Sequence, residues 1–167
     1  MANTFANVQG NTVNLANAGF TLGTTSTYTT TAATVHVING AFGTALGVQT
    51  NTASPTTDAT TGAAFVALTA NQATVLVWGV NAAGAIKLAQ GSIVPTETGV
   101  TTTAGAFITA PQFPALPDDF APIAYHLVRT SPTGSSFTAG TTSWTASGIT
   151  CSTAKNVHTL PDRPKIA

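Results

Sequence analysis

Two carboxylates, Asp118 and Asp119, stand side by side in the stretch FPALPDDFAPIAYHLVRT (Phe113–Thr130), and only Asp58, Glu97 and Asp162 add to them. A carboxylate pair can serve as general acid and base, or can help to hold calcium. Adjacent side chains of an extended chain leave on opposite faces, however. Asp118 and Asp119 therefore do not converge on one substrate atom as an acid–base pair must. Calcium needs several more oxygens than so acid-poor a chain offers. Asp after Pro is a good turn residue, because its carboxylate accepts from backbone N–H groups further on. The pair is expected to shape the turn before the strand that starts at Ile123.

The other reactive side chains are dispersed. His36, His126 and His158 lie far apart, without a partner two or four residues away, so a zinc site would have to assemble entirely in space or about a symmetry axis. Cys151 is the single cysteine. It excludes an intrachain disulfide and a Cys-based zinc site, and it carries none of the surrounding signatures of a catalytic thiol. Serine is abundant, but no G-x-S-x-G elbow occurs. The glycines of GAFGTALG (Gly40–Gly47) have the wrong spacing for a dinucleotide loop, no Walker A motif is present, and these glycines read as turn positions. No catalytic, cofactor-binding or metal-ligating residue is assigned. Trp78, Trp144, Tyr28 and Tyr125 could form a platform for sugar stacking, but Trp78 lies in the most apolar stretch and core packing is the better reading.

Such residues must be positioned by strands. Thr and Ala dominate, β-branched Thr favours strands, and no helix-period apolar pattern stands out. Short apolar runs divided by Gly, Asn, Pro and Ser clusters predict an all-β chain, an antiparallel β-sandwich or a barrel-like domain with extended N- and C-terminal arms. Met1 to Gly19 read as an N-terminal arm or weak first strand, residues 20–155 as the β domain, and residues 156–167 as an extended, proline-containing tail. Val35 and Val37 fall on one face of a strand and His36 and Ile38 on the other, before the turn signal Asn39-Gly40. Thr50 to Ala63 reads as a polar loop. Strands are expected at Ala63–Thr69, Ala73–Val80 and Ala85–Gly91, the last two joined by a hairpin over Asn81–Gly84. Val75 and Val77 point one way and Leu76, Trp78 and Val80 the other, which predicts a strand covered on both faces. Prolines at 111, 114 and 117 keep that segment extended and out of any central sheet position.

The chain has 167 residues, of which 43% are hydrophobic and 6% charged, with no net charge. Ordinary soluble domains carry about 25% charged residues. Omitting charge implies a surface covered by Thr, Ser and Asn, or one hidden against copies of the chain or a partner. Five basic residues, Lys87, Arg129, Lys155, Arg163 and Lys165, cannot neutralise a run of phosphates, so neither nucleic acid nor an anionic membrane is an expected partner. No apolar run reaches the length of a membrane span, and MANTFANVQG lacks the pattern of a signal peptide. Synthesis in the cytoplasm is the expectation. The candidate contact residues are Leu76 and Trp78, if one sheet face is an oligomer contact, Phe113 and Leu116 in the proline-rich segment, and Arg163 in a tail that could dock on a neighbouring subunit.

The segments VLVWGVNAAGAIKLAQG, APQFPALPDDFAPIAYHLV and the terminal TLPDRP together resemble a group of tailed-bacteriophage structural proteins, over most of Thr74–Lys165. The resemblance implies a virion protein made in the host cytoplasm and carried on the capsid surface. Its expected role is capsid decoration (cement), as a homotrimer that binds and stabilises the shell of major capsid protein, without cofactor or enzymatic activity. The alternative it implies is a head- or tail-fibre or spike component that recognises a host glycan through Trp144 or Tyr125. A hydrolase, such as a polysaccharide depolymerase, would need convergent carboxylates.

Overall fold

The computed structural model describes residues 12–133 and 136–165. Those residues form an all-β fold without helix, as the composition predicts. In chain order the strands are β1 (Val13–Asn14), β2 (Thr21–Leu22), β3 (Thr27–Thr29), β4 (His36–Ile38), β5 (Ala41–Phe42), β6 (Thr52–Ala53), β7 (Gln72–Val80), β8 (Ile86–Gln90), β9 (Val94–Pro95), β10 (Ala121–Thr130), β11 (Ile149–Cys151) and β12 (Lys155–Asn156). They make three antiparallel sheets that pack together in the manner of a sandwich: β1-β4-β5, β2-β3-β6, and a six-stranded sheet centred on β7 and β10.

β7 and β10 are the long strands, and their pairing runs from Ala121 opposite Val80 to Arg129 opposite Ala73. Each is flanked on its other side by two short strands in succession, β8 and β9 beside β7, β11 and β12 beside β10. One irregularity interrupts the central ladder, between Pro122 and Ala124. Proline has no N–H to give to a ladder, so a bulge is where a sheet can hold it. The extra residue turns both Ile123 and Ala124 toward the same core. Gly79, opposite Pro122, is required by close approach, since a Cβ there would collide with the Phe120 ring.

The central sheet is covered on both faces. Leu76, Trp78, Val80, Leu88, Ala124 and Val128 pack with Phe20, Tyr28, Leu68, Phe137 and Trp144. Val75, Val77, Ala89, Tyr125 and Leu127 pack with Phe120, and with partly buried Phe107, Phe113, Leu116, Val157 and Leu160. The first cover includes the sheet of Tyr28, and the second is built of irregular chain. That difference explains the proline spacing: Pro111, Pro114 and Pro117 hold extended a segment that lies across a sheet face and joins no ladder.

One sequence expectation changes. Ala63–Thr69 forms no strand. It makes isolated bridges, Ala64 to Thr57 and Leu68 to Phe137, and its backbone at Val66 is satisfied in both directions by the Gln90 side chain at 3.0 and 2.9 Å. Phe65 and Leu68 still enter the core. The C-terminal segment is tied along the domain: β12 pairs with β10, Val157 and Leu160 pack on the sheet, and the Lys165 N–H donates to the Tyr125 hydroxyl at 3.2 Å. Of the N-terminal segment, residues 1–11 lie outside the described residues. From Val13 onward it is the weak strand β1, paired with β4, followed by buried Ala18.

Candidate functional site

A cluster of aromatic rings and one imidazole surrounds Trp78. Alternation along β7 points its indole into the core, where ring centroids of Phe20, Tyr28 and Trp144 lie 4.6, 5.3 and 6.1 Å away. Across the ladder, His126 of β10 is opposite Leu76, and the Trp78 indole N–H donates to His126 Nδ1 at 3.1 Å. An Nδ1 that accepts leaves the imidazole proton on Nε2, which is buried without a partner. Burial pushes the His126 pKa from 6.5 down to about 3. The ring is therefore neutral over the physiological range, and at 0% exposure it reaches no substrate.

The remaining histidines hold elements together. His36 Nε2 donates to the Asn81 carbonyl at 2.9 Å and ties β4 to the β7–β8 hairpin; its Nδ1 is buried and unpaired. His158 Nδ1 donates to the Asn14 carbonyl at 2.7 Å, and the Asn14 N–H returns a bond to the His158 carbonyl at 3.0 Å. This double tie fastens the C-terminal segment along β1. The three rings do not meet, and among the described residues no cluster of three or more His, Cys, Asp or Glu is placed to hold a metal.

Asp119 has a structural role, but not in the local turn expected of the pair: its carboxylate accepts from the Ala82 N–H at 2.6 Å, anchoring the hairpin loop. Asp118 is exposed at the rim of an open cleft bounded by Pro114, Leu116, Phe120 and Leu160. The structural carboxylate that sequence reasoning missed is Asp58. It is buried and accepts from the Thr60 and Gln90 N–H groups, both at 3.2 Å, and from the Thr61 hydroxyl at 3.0 Å. It pins the polar loop onto the edge of β8, where Ala59 N–H also bonds the Leu88 carbonyl at 2.8 Å. The turn-like DATTG around it was the available signal. Burial pushes the Cys151 thiol up to about 12, which keeps it protonated and a poor nucleophile near neutrality.

The candidate contact residues divide. Leu76 and Trp78 are fully buried inside the chain's own core and so present no surface to a subunit or a capsid; they lie on the face that Phe20, Tyr28 and Trp144 cover. Phe113 and Leu116 are partly buried, and Phe113 sets its ring edge-to-face on Tyr125 at 5.0 Å. Arg163 is exposed. The sugar-stacking platform does not assemble: Trp144 and Tyr125 are 3% and 2% exposed, and the Trp144 indole donates to the Thr27 carbonyl at 2.9 Å.

An uneven distribution of charge was also missed. Asp58 is the first charged residue of the chain, so β1 to β6, which form both small sheets, contain no Asp, Glu, Lys or Arg. Compared with protein-family models, curated proteins and solved structures, the chain matches none.

Proposed function

We propose that this chain is a structural protein of a tailed-phage particle, a capsid decoration protein that binds the major capsid protein as a homotrimer and stabilises the shell. The observation that carries the reading is the surface. Large apolar side chains, Phe42, Val48, Val66, Val100 and Ile108, stand exposed on a chain with 6% charged residues. A protein that works free in solution is kept apart from its copies by mixed charge; one that works in an array does not need this. The placement of the flagged groups agrees with such a role, since Asp58, Asp119, His36 and His158 each tie one part of the fold to another. Repeated over a shell, an ordinary interface of about 800 Å² per partner would resist internal pressure. The glycan-binding alternative loses support, because the aromatic rings it would use are buried.

Immunogold labelling of whole particles with an antibody to this chain tests the reading. Dense label over the head, together with particles that lose heat resistance when the gene is deleted, is the expected result. Label confined to the tail would favour a fibre component, and unlabelled particles would remove the virion reading.

A further inference from the structure

The sheet β1-β4-β5 carries more hydrocarbon on its outer face than an ordinary outer layer does. Its inner face carries Asn14 and His36, both at 0% exposure, and Ile38 at 6%. Its outer face carries Val13, Val37 and Phe42, which are direct cross-strand neighbours, and beside them Leu15 and Val35, joined by the bond from Leu15 N–H to the Val35 carbonyl at 2.8 Å. Leu15, Val35 and Phe42 are 50, 41 and 76% exposed. Scattered apolar residues on a surface need no explanation, but a contiguous patch does. An antiparallel sheet with one solvated face normally alternates apolar inward and polar outward. Here hydrocarbon stands on the outer face as well, beside an inner face that sets Asn14 and His36 next to Ile38.

We propose that this outer face is the surface through which the chain associates with another copy of itself. What selects a copy is charge. The first charged residue of the chain is Asp58, so nothing on β1, β4 or β5, nor on the turn between β4 and β5, could steer a charged partner or repel an identical face. The cores of protein–protein interfaces are depleted of charge in this way, and like charges brought face to face would cost several kcal/mol. A second copy supplies a neutral surface of Val, Leu and Phe at equal concentration. Three such faces can meet about a three-fold axis and close the proposed homotrimer, each packing its side chains against those of both neighbours. The inference deepens the homo-oligomer part of the proposed function and rests on that part, but not on the virion part.

Sedimentation velocity of the full chain from low micromolar concentration upward tests it. The wild type is expected to sediment as an oligomer. The double variant Val35→Asp/Phe42→Asp is expected to associate at least about tenfold more weakly, with its near-ultraviolet circular dichroism retained. Should that variant fail to fold, the milder Val35→Thr/Phe42→Ser serves with the same expectation. Thr102→Asp, at an exposed site elsewhere, should associate like the wild type. A wild type that remains monomeric, a folded double variant that still assembles, or a monomer that binds isolated capsid shells through Phe42 would overturn the proposal. Unlabelled particles beside a Phe42-dependent oligomer would leave the surface standing and remove only the virion reading.

Discussion

β7 and β4 are both inner strands of antiparallel sheets, yet they use alternation in opposite ways. β7 is apolar on both faces, and both are covered by the chain itself: Leu76 and Trp78 by aromatic rings on one side, Val75 and Val77 by loops and the C-terminal segment on the other. β4 turns His36 inward and Val37 outward, next to exposed Val35 and Phe42. The difference separates two uses of the same residues. In the central sheet apolar burial on both faces holds the monomer together, while in the small sheet hydrogen bonds and Ile38 attach the inner face and the outer apolar face is left over.

The sharpest way to break that comparison is to truncate one residue from each region. Trp78→Ala removes the ring around which Phe20, Tyr28 and Trp144 pack, and large-to-small changes of this kind cost about 3–5 kcal/mol. Phe42→Ser, on the outward face, should change the stability of the isolated monomer by no more than about 0.5 kcal/mol. Urea unfolding at a concentration where the chain is monomeric measures both. Equal losses at the two sites would show that the small sheet is held by its apolar side chains after all.

A second test bears on the polar groups inside. His126 has its pKa lowered from 6.5 to about 3 by burial, so between those values the unfolded chain binds a proton that the folded chain refuses. Stability from this group is present in full above about pH 6.5 and is lost as pH falls from there toward about 3. The slope it contributes is at most about 1.4 kcal/mol per pH unit. Thermal unfolding followed between those limits should show a shallower dependence in His126→Gln than in the wild type. Identical slopes would mean that the buried imidazole carries no linkage.

What could be read in advance follows from the same contrast. The strands β7 and β10 were legible because burial on both faces leaves long, mostly apolar runs, ATVLVWGV and IAYHLV, and β8 as the return of the hairpin over Asn81–Gly84. The hairpin at Asn39-Gly40 was legible because both residues must take positive φ, here 51° and 81°, and these two types do so at little cost. The faces of β4 were assigned correctly, but alternation alone does not say which face is buried, and hydrophobicity would have chosen Val35 and Val37. Ala63–Thr69 misled because its apolar residues do enter the core, while its backbone finds a Gln90 side chain where a strand partner was expected. The direction of the C-terminal segment was set by contacts with Tyr125 and β1, which are non-local and leave no trace in TLPDRP. For the candidate site, residue types identified the aspartates as structural, but not that Asp119 reaches back to Ala82.

That reach gives the smallest effect and the finest test. Asp119 holds the Asn81–Gly84 loop to the segment before β10 by one bond to the Ala82 N–H, and His36 holds the neighbouring Asn81 carbonyl to β4. Thr44 N–H adds a third tie, to the Ala82 carbonyl at 2.8 Å. Since Asp119 is exposed, water replaces it when it is removed, and Asp119→Ala should cost no more than about 1 kcal/mol. The loop should feel the change more than the fold does. Amide exchange at Ala82 is expected to quicken in Asp119→Ala, while the amides of Val75 to Val77 in the middle of β7 keep their protection, because local opening of a hairpin tip need not involve the strands below it. If β7 lost protection together with the loop, the attachment of the small sheet and the packing of the central one would be a single cooperative unit, and the division of labour between them would fail.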